Sequence, residues 1–473
     1  MFQSILIANR GEIALRIIWA CRELDIKTVA VYSEADRDSL HVSFADEAIC
    51  IGPPTAADSY LSIPSVISAA EIMGVDAIHP GYGFLAENAE FSDICETCGL
   101  TFIGPSTDAI RNMGDKAMAR KAMGAAGLPL IHGSEGAVTD EKEAGVFADK
   151  IGYPVLLKAA AGGGGKGMRV VSAPDELSKA FRTASAEAEA AFGSRDIYVE
   201  KYIACPHHIE VQLLGDKHGN LIHLGERECS VQRKYQKLIE ETPSPALSEE
   251  LRDRIWADAI KGAQAIDYTS AGTMEFLVDK DGAHYFMEMN TRIQVEHPVT
   301  EQVTLVDLVK QQICVAFGKK LPFVQEDIRF RGHSIECRVN AEHPETLTPS
   351  PGQITAFNVP KGPGVRVDTA AHEAAFISPY YDSMIAKVIV HAFNREEALV
   401  RMRRALSMFV IQGIDTSLPL LQRIVDQQPY IELPASTDHR HCALVDTSII
   451  GFLVSILNPV GAPMSHRPHR FNK

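Results

Sequence analysis

The stretch GTMEFLVDKDGAHYFMEMNTRIQVEHP, residues 272–298, holds two apolar-rich runs, 272–278 and 283–290, around Asp279-Lys280-Asp281-Gly282. Asp-Gly is a favoured two-residue turn between antiparallel strands, so a β-hairpin is expected here. With Asp281-Gly282 as the turn, Lys280 pairs with Ala283, and the same register places Glu275 directly opposite Glu288. Like charges opposed across a sheet are destabilising. At an effective dielectric of about 20 and a separation of about 4 Å, the repulsion is on the order of 4 kcal/mol. A divalent cation such as Mg²⁺, which takes oxygen ligands beside phosphates, relieves it. A splayed, solvated pair is the alternative.

Beyond the hairpin, Glu288, Asn290, Arg292, Gln294 and Glu296 recur at every second position as far as His297-Pro298. An extended run puts all five side chains on one face. Interleaved carboxylates, an amide and a guanidinium suit an active-site floor better than a solvated edge strand. Ser334, Glu336, Arg338 and Asn340 alternate in the same way, and Arg233-Lys234-Tyr235-Gln236-Lys237 adds cations. Each of these two segments alone fits surface as well as site. Adjacent His207 and His208 on a strand point to opposite faces, so one metal ion shared between them is not expected.

Toward the N-terminus the first hundred residues alternate short apolar runs with helix-period stretches. Strands are expected at 4–8, 27–32, 76–79 and 100–103, with a helix over 12–24. Alternation of this kind means a parallel sheet with crossover helices, an α/β arrangement. The first turn, Asn9-Arg10-Gly11-Glu12, lacks the glycine fingerprint of dinucleotide sites. His79-Pro80-Gly81-Tyr82-Gly83 follows its strand at the carboxyl end, where ligands bind in such sheets. The glycine run 162–167, which includes Lys166, lies between strand-like stretches at 155–159 and 168–171. It is not a Walker A loop, because Ala160 and Gly167 replace the required Gly and Ser/Thr. Lys158 beside it favours a mobile phosphate lid over a plain surface hairpin. From 331 the chain is β-rich, then helical over 395–408.

The 473 residues carry 46 Lys and Arg against 61 Asp and Glu, a net charge of −15. A chain this acidic is a poor general binder of nucleic acid or anionic membrane. A hydrophobic share of 46% is that of a globular chain with a core. Nine scattered cysteines do not read as a disulfide framework. Cys95 and Cys98 have metal or redox spacing but no second pair, and read as two residues of a helix. The longest uncharged apolar run, 448–457, is well short of the roughly 20 residues that span a bilayer. A cytoplasmic protein is expected.

The motifs NRGEIA (9–14), HPGYGFLAEN (79–88), FIGP (102–105), MGDK (113–116), the glycine run, ERECSVQRKYQKLIEE (226–241), EMNTRIQVEHPVTE (288–301), ECRVNAE (336–342), PSPG (349–352) and PYYDSMIAKV (379–388) stand in this order. Together they resemble the biotin carboxylase component of biotin-dependent carboxylases over residues 1–430. The resemblance implies an ATP-grasp fold in four parts: a Rossmann-like N-terminal domain (1–113), an ATP-grasp domain (114–330) with a mobile glycine-rich lid (131–203), a biotin carboxylase C-terminal domain (331–446) and an atypical tail (447–473). It implies a ligase that uses ATP, Mg²⁺ or Mn²⁺ and bicarbonate to carboxylate biotin through carboxyphosphate. That is the first half-reaction of a multisubunit carboxylase acting finally on acetyl-CoA, propionyl-CoA or pyruvate.

By the same resemblance, Lys116, Lys158, Gly163, Gly164, Gly165, Glu200, Lys201, Ile203, His208, Gln232 and Tyr235 would hold the nucleotide. Glu275 and Glu288, with Asn290, would hold the metal, in agreement with the hairpin register. Lys237 would face the γ-phosphate, while Arg292, Gln294 and the Val295 backbone would hold bicarbonate. Glu296 would be the general base, Arg338 would stabilise the biotin enolate, and Tyr82 would join the substrate-binding set. Fixed cations aimed at developing negative charge suit phosphoryl transfer. A carboxylate near Arg292 stays ionised, and a closed lid excludes the water that hydrolyses carboxyphosphate.

Three features depart from the family pattern. Position 235 is Tyr where many relatives have His. No Met-Lys-Met carrier motif occurs, so biotin is expected on a separate biotin carboxyl carrier protein. The family's closing Ile-His-aromatic-Leu-Glu segment has only a faint counterpart in Thr437-Asp438-His439-Arg440-His441-Cys442. A carboxyltransferase subunit and a second copy in a homodimer are the further partners expected, with no nucleic acid and no membrane. Another ATP-grasp ligase would share the lid and paired carboxylates but not the run 292–296 with Arg338. An ATP-grasp scaffold without activity is the non-enzymatic alternative.

Overall fold

The computed structural model describes residues 1–430 apart from 135, 139, 160–167, 234, 235, 428 and 429. The expectations for Gly163, Gly164, Gly165, Tyr235 and everything beyond 430, including the tail, lie outside the described residues. No helix among the described residues is long and apolar enough to cross a membrane.

Strands β1 (Ser4–Ile7), β2 (Lys27–Ser33), β3 (Glu47–Gly52), β4 (Ala77–His79) and β5 (Thr101–Phe102) form a sheet in the order β3-β2-β1-β4-β5. Every pairing in it is parallel. Ile5, Leu6 and Ile7 are wholly buried, as a parallel strand covered on both faces must be. The helix Gly11–Glu23 follows β1 and buries Ile13, Ala14, Ile17, Ile18 and Cys21 along one stripe. Asn9 Nδ2 donates to the carbonyls of Pro80 (2.7 Å) and Tyr82 (2.8 Å). The loops after β1 and β4 are thereby tied together at the carboxyl end of the sheet.

Strands β6 (Val155–Ala159), β7 (Arg169–Val171) and β8 (Ile197–Lys201) make a small antiparallel sheet in the order β7-β6-β8. With the helices Glu141–Ile151 and Pro174–Phe192 it encloses its own core, including Ala144, Val155, Leu157, Ala184 and Val199. Residues 160–167 connect β6 to β7, so the glycine run joins two strands as its sequence position indicates.

The remaining strands are β9 (His207–Gly215), β10 (Leu221–Arg233), β11 (Gln236–Thr242), β12 (Ser270–Val278), β13 (His284–Asn290), β14 (His333–Asn340), β15 (Gly352–Gln353), β16 (Ala356–Asn358), β17 (Val365–Thr369), β18 (Phe376–Ile377), β19 (Met384–Ala392) and β20 (Val410–Gln412). Eight of them form one sheet in the order β13-β12-β9-β10-β11-β14-β19-β17. The pairing of β11 with β14 carries this sheet across residue 330. Along its strands, alternate residues face apolar core. Ile209, Val211, Met274 and Phe276 cluster with Ile255 and Ala259 of the helix Glu249–Gln264. Ile335, Cys337, Val388 and Val390 cluster with Met402 and Leu406 of the helix Arg395–Met408. Asn394 caps that helix by accepting the Glu397 amide at 2.9 Å. The residues in between point the other way, and Glu210, Glu275 and Glu336 among them are polar, while Ile389 is not.

The hairpin turn differs from expectation. It contains three residues, Lys280–Gly282, because the Asp279 carboxylate accepts the amides of Asp281 and Ala283, both at 2.9 Å, and so stabilises the longer loop. Gly282 takes the left-handed φ of +77° that closes such loops. The extra residue moves the register by one, and a bulge at Met287 moves it back, so Glu275 does pair with Glu288. The extended run is also corrected. β13 ends at Asn290, and the chain turns through residues 291–296 into the helix His297–Thr304. Glu87 captures the Thr291 amide (3.0 Å) just past the strand end. Pro298 suits a first helical turn and not a strand. Arg292, Gln294 and Glu296 therefore stand on a turn.

Candidate active site

Glu288 on β13, Glu275 on β12, Glu210 on β9 and Arg227 on β10 occupy one register row across four strands. Three carboxylates against one guanidinium require further positive charge, and Lys237 on β11 supplies it. Its ammonium pairs with Glu210 and lies 2.6 Å from Glu296 and 3.3 Å from Glu275. Burial would lower the Lys237 pKa, but Glu210, Glu275 and Glu296 outweigh it and raise the value well above the ordinary one. Arg227 is wholly buried and gives out five hydrogen bonds. They reach Glu210, Gln212 (2.7 Å), Thr300 (3.0 Å), Thr273 (3.1 Å) and the Gln294 side-chain Oε1 (2.6 Å).

Glu275 Oε1 accepts the side-chain amides of Asn290 and Gln294, each at 2.7 Å. Its Oε2 lies 2.6 Å from His208 Nε2. Burial would raise Glu275, yet Lys237 and His208 hold it far below the usual carboxylate range. Burial likewise lowers His208, but Glu275 prevails and raises it. Gln232 Nε2 stands 2.8 Å from His208 Nδ1. Glu288 is open to solvent. It forms no hydrogen bond or ion pair among the described residues. Although its surface reaches solvent, the protein mass around it desolvates the carboxylate, and this, then the Glu275 carboxylate opposite, raises its pKa. Two facing carboxylates with an amide beside them are a hard oxygen donor set, which fits Mg²⁺. His207 turns the other way, to Glu228 at 3.2 Å, so the two histidines do not share a ligand.

Glu296 caps the turn. Its carboxylate touches Lys237 on one side and Arg338 (2.8 Å) on the other. Burial pushes its pKa up, but Lys237, Arg338 and Arg227 hold it well below the carboxylate range. Arg338 also donates to Glu240 through Nε at 2.6 Å. Burial raises Glu240 to about 7 against the pull of Arg338. Arg292 pairs with Glu87 (2.8 Å) and donates to Asn290 Oδ1 (3.0 Å). The Val295 carbonyl accepts from the buried Lys387 at 2.8 Å. Tyr82 donates its hydroxyl proton to Glu12.

In the small sheet, Lys158 pairs with the buried Glu200 at 2.6 Å, and Arg120 pairs with the same residue at 2.9 Å. Lys116 opens the helix Lys116–Ala125. Burial and Lys158 lower its pKa, although Glu288 and Glu200 oppose them. The Lys201 ammonium is spent on the carbonyls of Gly152 (2.9 Å) and Tyr153 (3.2 Å), so its side chain is turned away from Glu200. Ile203 is half-buried just past β8.

The sequence-derived residues Lys237, Glu275, Asn290, Arg292, Gln294, Glu296, Arg338, His208 and Gln232 are thus linked through one hydrogen-bonded network. Sequence reasoning passed over Glu210, Arg227, Glu240, Glu87 and Lys387. His208, Glu210 and Gln212 alternate on β9 as clearly as the residues of β14 do, and that pattern was the available signal for Glu210. The whole arrangement can hold an acidic, phosphate-bearing ligand with a divalent ion. It can also place a carboxylate base between two cations.

Three family models match in succession. "Biotin carboxylase, N-terminal domain" matches residues 1–110, "Carbamoyl-phosphate synthase L chain, ATP binding domain" residues 115–324, and "Biotin carboxylase C-terminal domain" residues 336–439. The Biotin carboxylase 1 of Bacillus subtilis is 55% identical over 433 residues, which are 91% of this chain and 96% of that one. Among solved structures, the biotin carboxylase–β-γ-ATP complex from Campylobacter jejuni has a TM-score of 0.89 at 50% identity, covering 92% of this chain and 97% of that one. The biotin carboxylase domain dimer of the Hydrogenobacter thermophilus 2-oxoglutarate carboxylase was solved with MgADP, ADP and bicarbonate. It also scores 0.89 at 50% identity, covering 94% and 99%.

Proposed function

The chain belongs to the biotin carboxylase family, ATP-dependent ligases that carboxylate biotin with bicarbonate, and we propose the following division of labour among its residues. Lys237 and Arg292 bind and orient the γ-phosphate and bicarbonate, and Gln294 and the Val295 backbone complete the bicarbonate seat. A bicarbonate oxygen attacks the γ-phosphorus, the bond to the ADP oxygen breaks, and the bicarbonate proton passes to Glu296. The product is carboxyphosphate. The C–O bond of carboxyphosphate to phosphorus-bound oxygen breaks, the departing phosphate takes the ring N–H proton of biotin, Arg338 stabilises the resulting enolate, and the ring nitrogen bonds the carboxyl carbon. Glu275, Glu288 and Asn290 would hold Mg²⁺, which would screen the phosphate charge.

The observation that carries this reading is the placement of Glu296 between Lys237 and Arg338, at 2.6 and 2.8 Å. A carboxylate so held is ionised but a weak base. Its basicity rises when Lys237 turns to a phosphate and Arg338 to biotin, so proton acceptance is coupled to the presence of both substrates. Lys116, Lys158 and Glu200 serve the nucleotide, with the lid segment closing over it. Tyr82 lines the biotin side.

Biotin comes to the site on a biotin carboxyl carrier protein. A carboxyltransferase subunit takes the carboxyl group onward, and the active form is a homodimer, the state named for the Hydrogenobacter relative. We place the enzyme in the cytoplasm. The test is ATP hydrolysis with Mg²⁺ and bicarbonate, with and without free biotin. Stimulation by biotin that is lost in Glu296→Ala is the expected result. Equal rates in wild type and variant overturn the assignment of the base.

A further inference from the structure

The residues proposed to seat bicarbonate stand on a turn, and no strand ladder holds it. Lys387 on β19 reaches that turn from the C-terminal part of the sheet. Its Nζ donates to the Val295 carbonyl at 2.8 Å and lies 2.9 Å from Glu12 Oε1. The same Glu12 oxygen accepts the Tyr82 hydroxyl. Lys387 is wholly buried and Glu12 is 8% exposed. Three segments distant in sequence thus meet at Glu12 Oε1, namely the first helix of the chain, the loop after β4 and β19, and Lys387 alone carries the link on to the Val295 carbonyl.

The electrostatics explain why the brace is ionic. Across the sheet Lys387 is flanked in register by Arg338 on β14 and Asp368 on β17. Burial lowers its pKa, but Glu12, Glu336 and Asp368 outweigh it and raise it above the ordinary lysine value. A buried ammonium is tolerated only with a carboxylate beside it, and Glu12 is brought in from the other end of the chain for that purpose. Glu12 Oε2 has no hydrogen-bond partner among the described residues, so its local bonding is concentrated on Lys387 and Tyr82.

We propose that Lys387 is a positioning residue for bicarbonate. It touches no substrate. With Glu12 and Tyr82 as its brace, it fixes the Gln294–Glu296 turn so that the seat and the Glu296 carboxylate meet bicarbonate in a single orientation. The inference rests on the bicarbonate assignment made under Proposed function.

The experiment is biotin-dependent ATP hydrolysis by the full chain at varied bicarbonate and, separately, varied ATP, for wild type, Lys387→Met and Glu12→Gln. Lys387→Met is expected to raise the KM for bicarbonate about tenfold, the effect of losing one hydrogen bond from a charged donor. The KM for ATP stays within about twofold, a split that general loss of folded enzyme cannot produce. Glu12→Gln keeps the size and hydrogen bonds of the carboxylate and decides the matter if Lys387→Met does not fold. It is expected to raise the bicarbonate KM about threefold. A wild-type bicarbonate KM in the folded variants, whatever happens to kcat or Tm, overturns the proposal. An inactive wild type overturns the functional reading itself.

Discussion

The Lys237 ammonium stands 2.6 Å from a carboxyl oxygen of Glu296 while also pairing with Glu210 and Glu275. One cation therefore neutralises carboxylates from a strand, a neighbouring strand and a turn, and it does so where the γ-phosphate is proposed to arrive.

Lys237→Gln should remove that shared charge. Catalysis, read as kcat for biotin-dependent ATP hydrolysis, is expected to fall by about 10²–10³-fold, typical for loss of one preorganised electrostatic group. Stability falls as well, by about 3–5 kcal/mol, because buried carboxylates lose their partner. Urea titration followed by circular dichroism measures the second effect. Unchanged stability would show that the ion pairs are not formed in solution.

Arg227 contacts Glu210 and Gln294 at once, with its guanidinium out of reach of solvent. Arg227→Lys keeps the charge but loses the planar fork, so it should fail to restore full activity. Arg227→Met leaves Glu210 less compensated and should cost about 3–5 kcal/mol. Thermal unfolding of the two variants beside wild type separates charge from geometry.

The facing pair Glu275 and Glu288 should report Mg²⁺ without any catalysis. Titrating Mg²⁺ into wild type is expected to raise Tm, because the ion binds only the folded chain. Glu288→Gln should raise Tm slightly without metal, by easing like-charge repulsion, and should abolish most of the Mg²⁺-dependent rise. A variant that still responds like wild type would remove Glu288 from the metal set.

Two buried glutamates set opposite pH limits. Burial lifts Glu240 to about 7 in the fold. Its contribution is full below the unfolded carboxylate range and is lost as pH rises from about 4.5 through about 7. Glu241 has the reverse sign. Burial opposes its ionisation, but hydrogen bonds from His333 and Arg395 bring it down to about 2. Its contribution is full above about 4.5 and fades as pH falls through about 2. Glu240→Gln should flatten the pH–stability curve on the neutral side only, in denaturant midpoints measured from pH 4 to 8. A wild-type slope there would sink the assignment.

Much of the fold was legible because burial periodicity is local. The runs at 4–7 and 27–33 are buried on both faces, and 395–408 shows a helical stripe, so they read correctly from neighbouring residues alone. The hairpin was legible for a partly wrong reason. Its turn holds three residues and its second strand carries a bulge, and the pairing of Glu275 with Glu288 survives because the two shifts cancel. Periodicity misled at 291–296, where every second residue is polar but the chain is turning into a helix.

The site divides along the same line. Motif resemblance named Glu296, Lys237, Arg292 and Arg338, while the hairpin register placed Glu275 and alternation on β13 and β14 showed which side chains share a face. Residue order and a period of two are properties of the chain itself, so they can be read without coordinates. Arg227, Glu240 and Lys387 are different. Each acquires its meaning from a residue on another strand or turn: Arg227 from Gln294, 67 positions away, Lys387 from Val295, 92 positions away, and Glu240 from Arg338, 98 positions away. Those pairings follow from strand order and register in the eight-stranded sheet and from the way the 291–296 turn lies against it. A buried charge is placed by whichever partner the assembled sheet brings to it, and only the tertiary structure decides that.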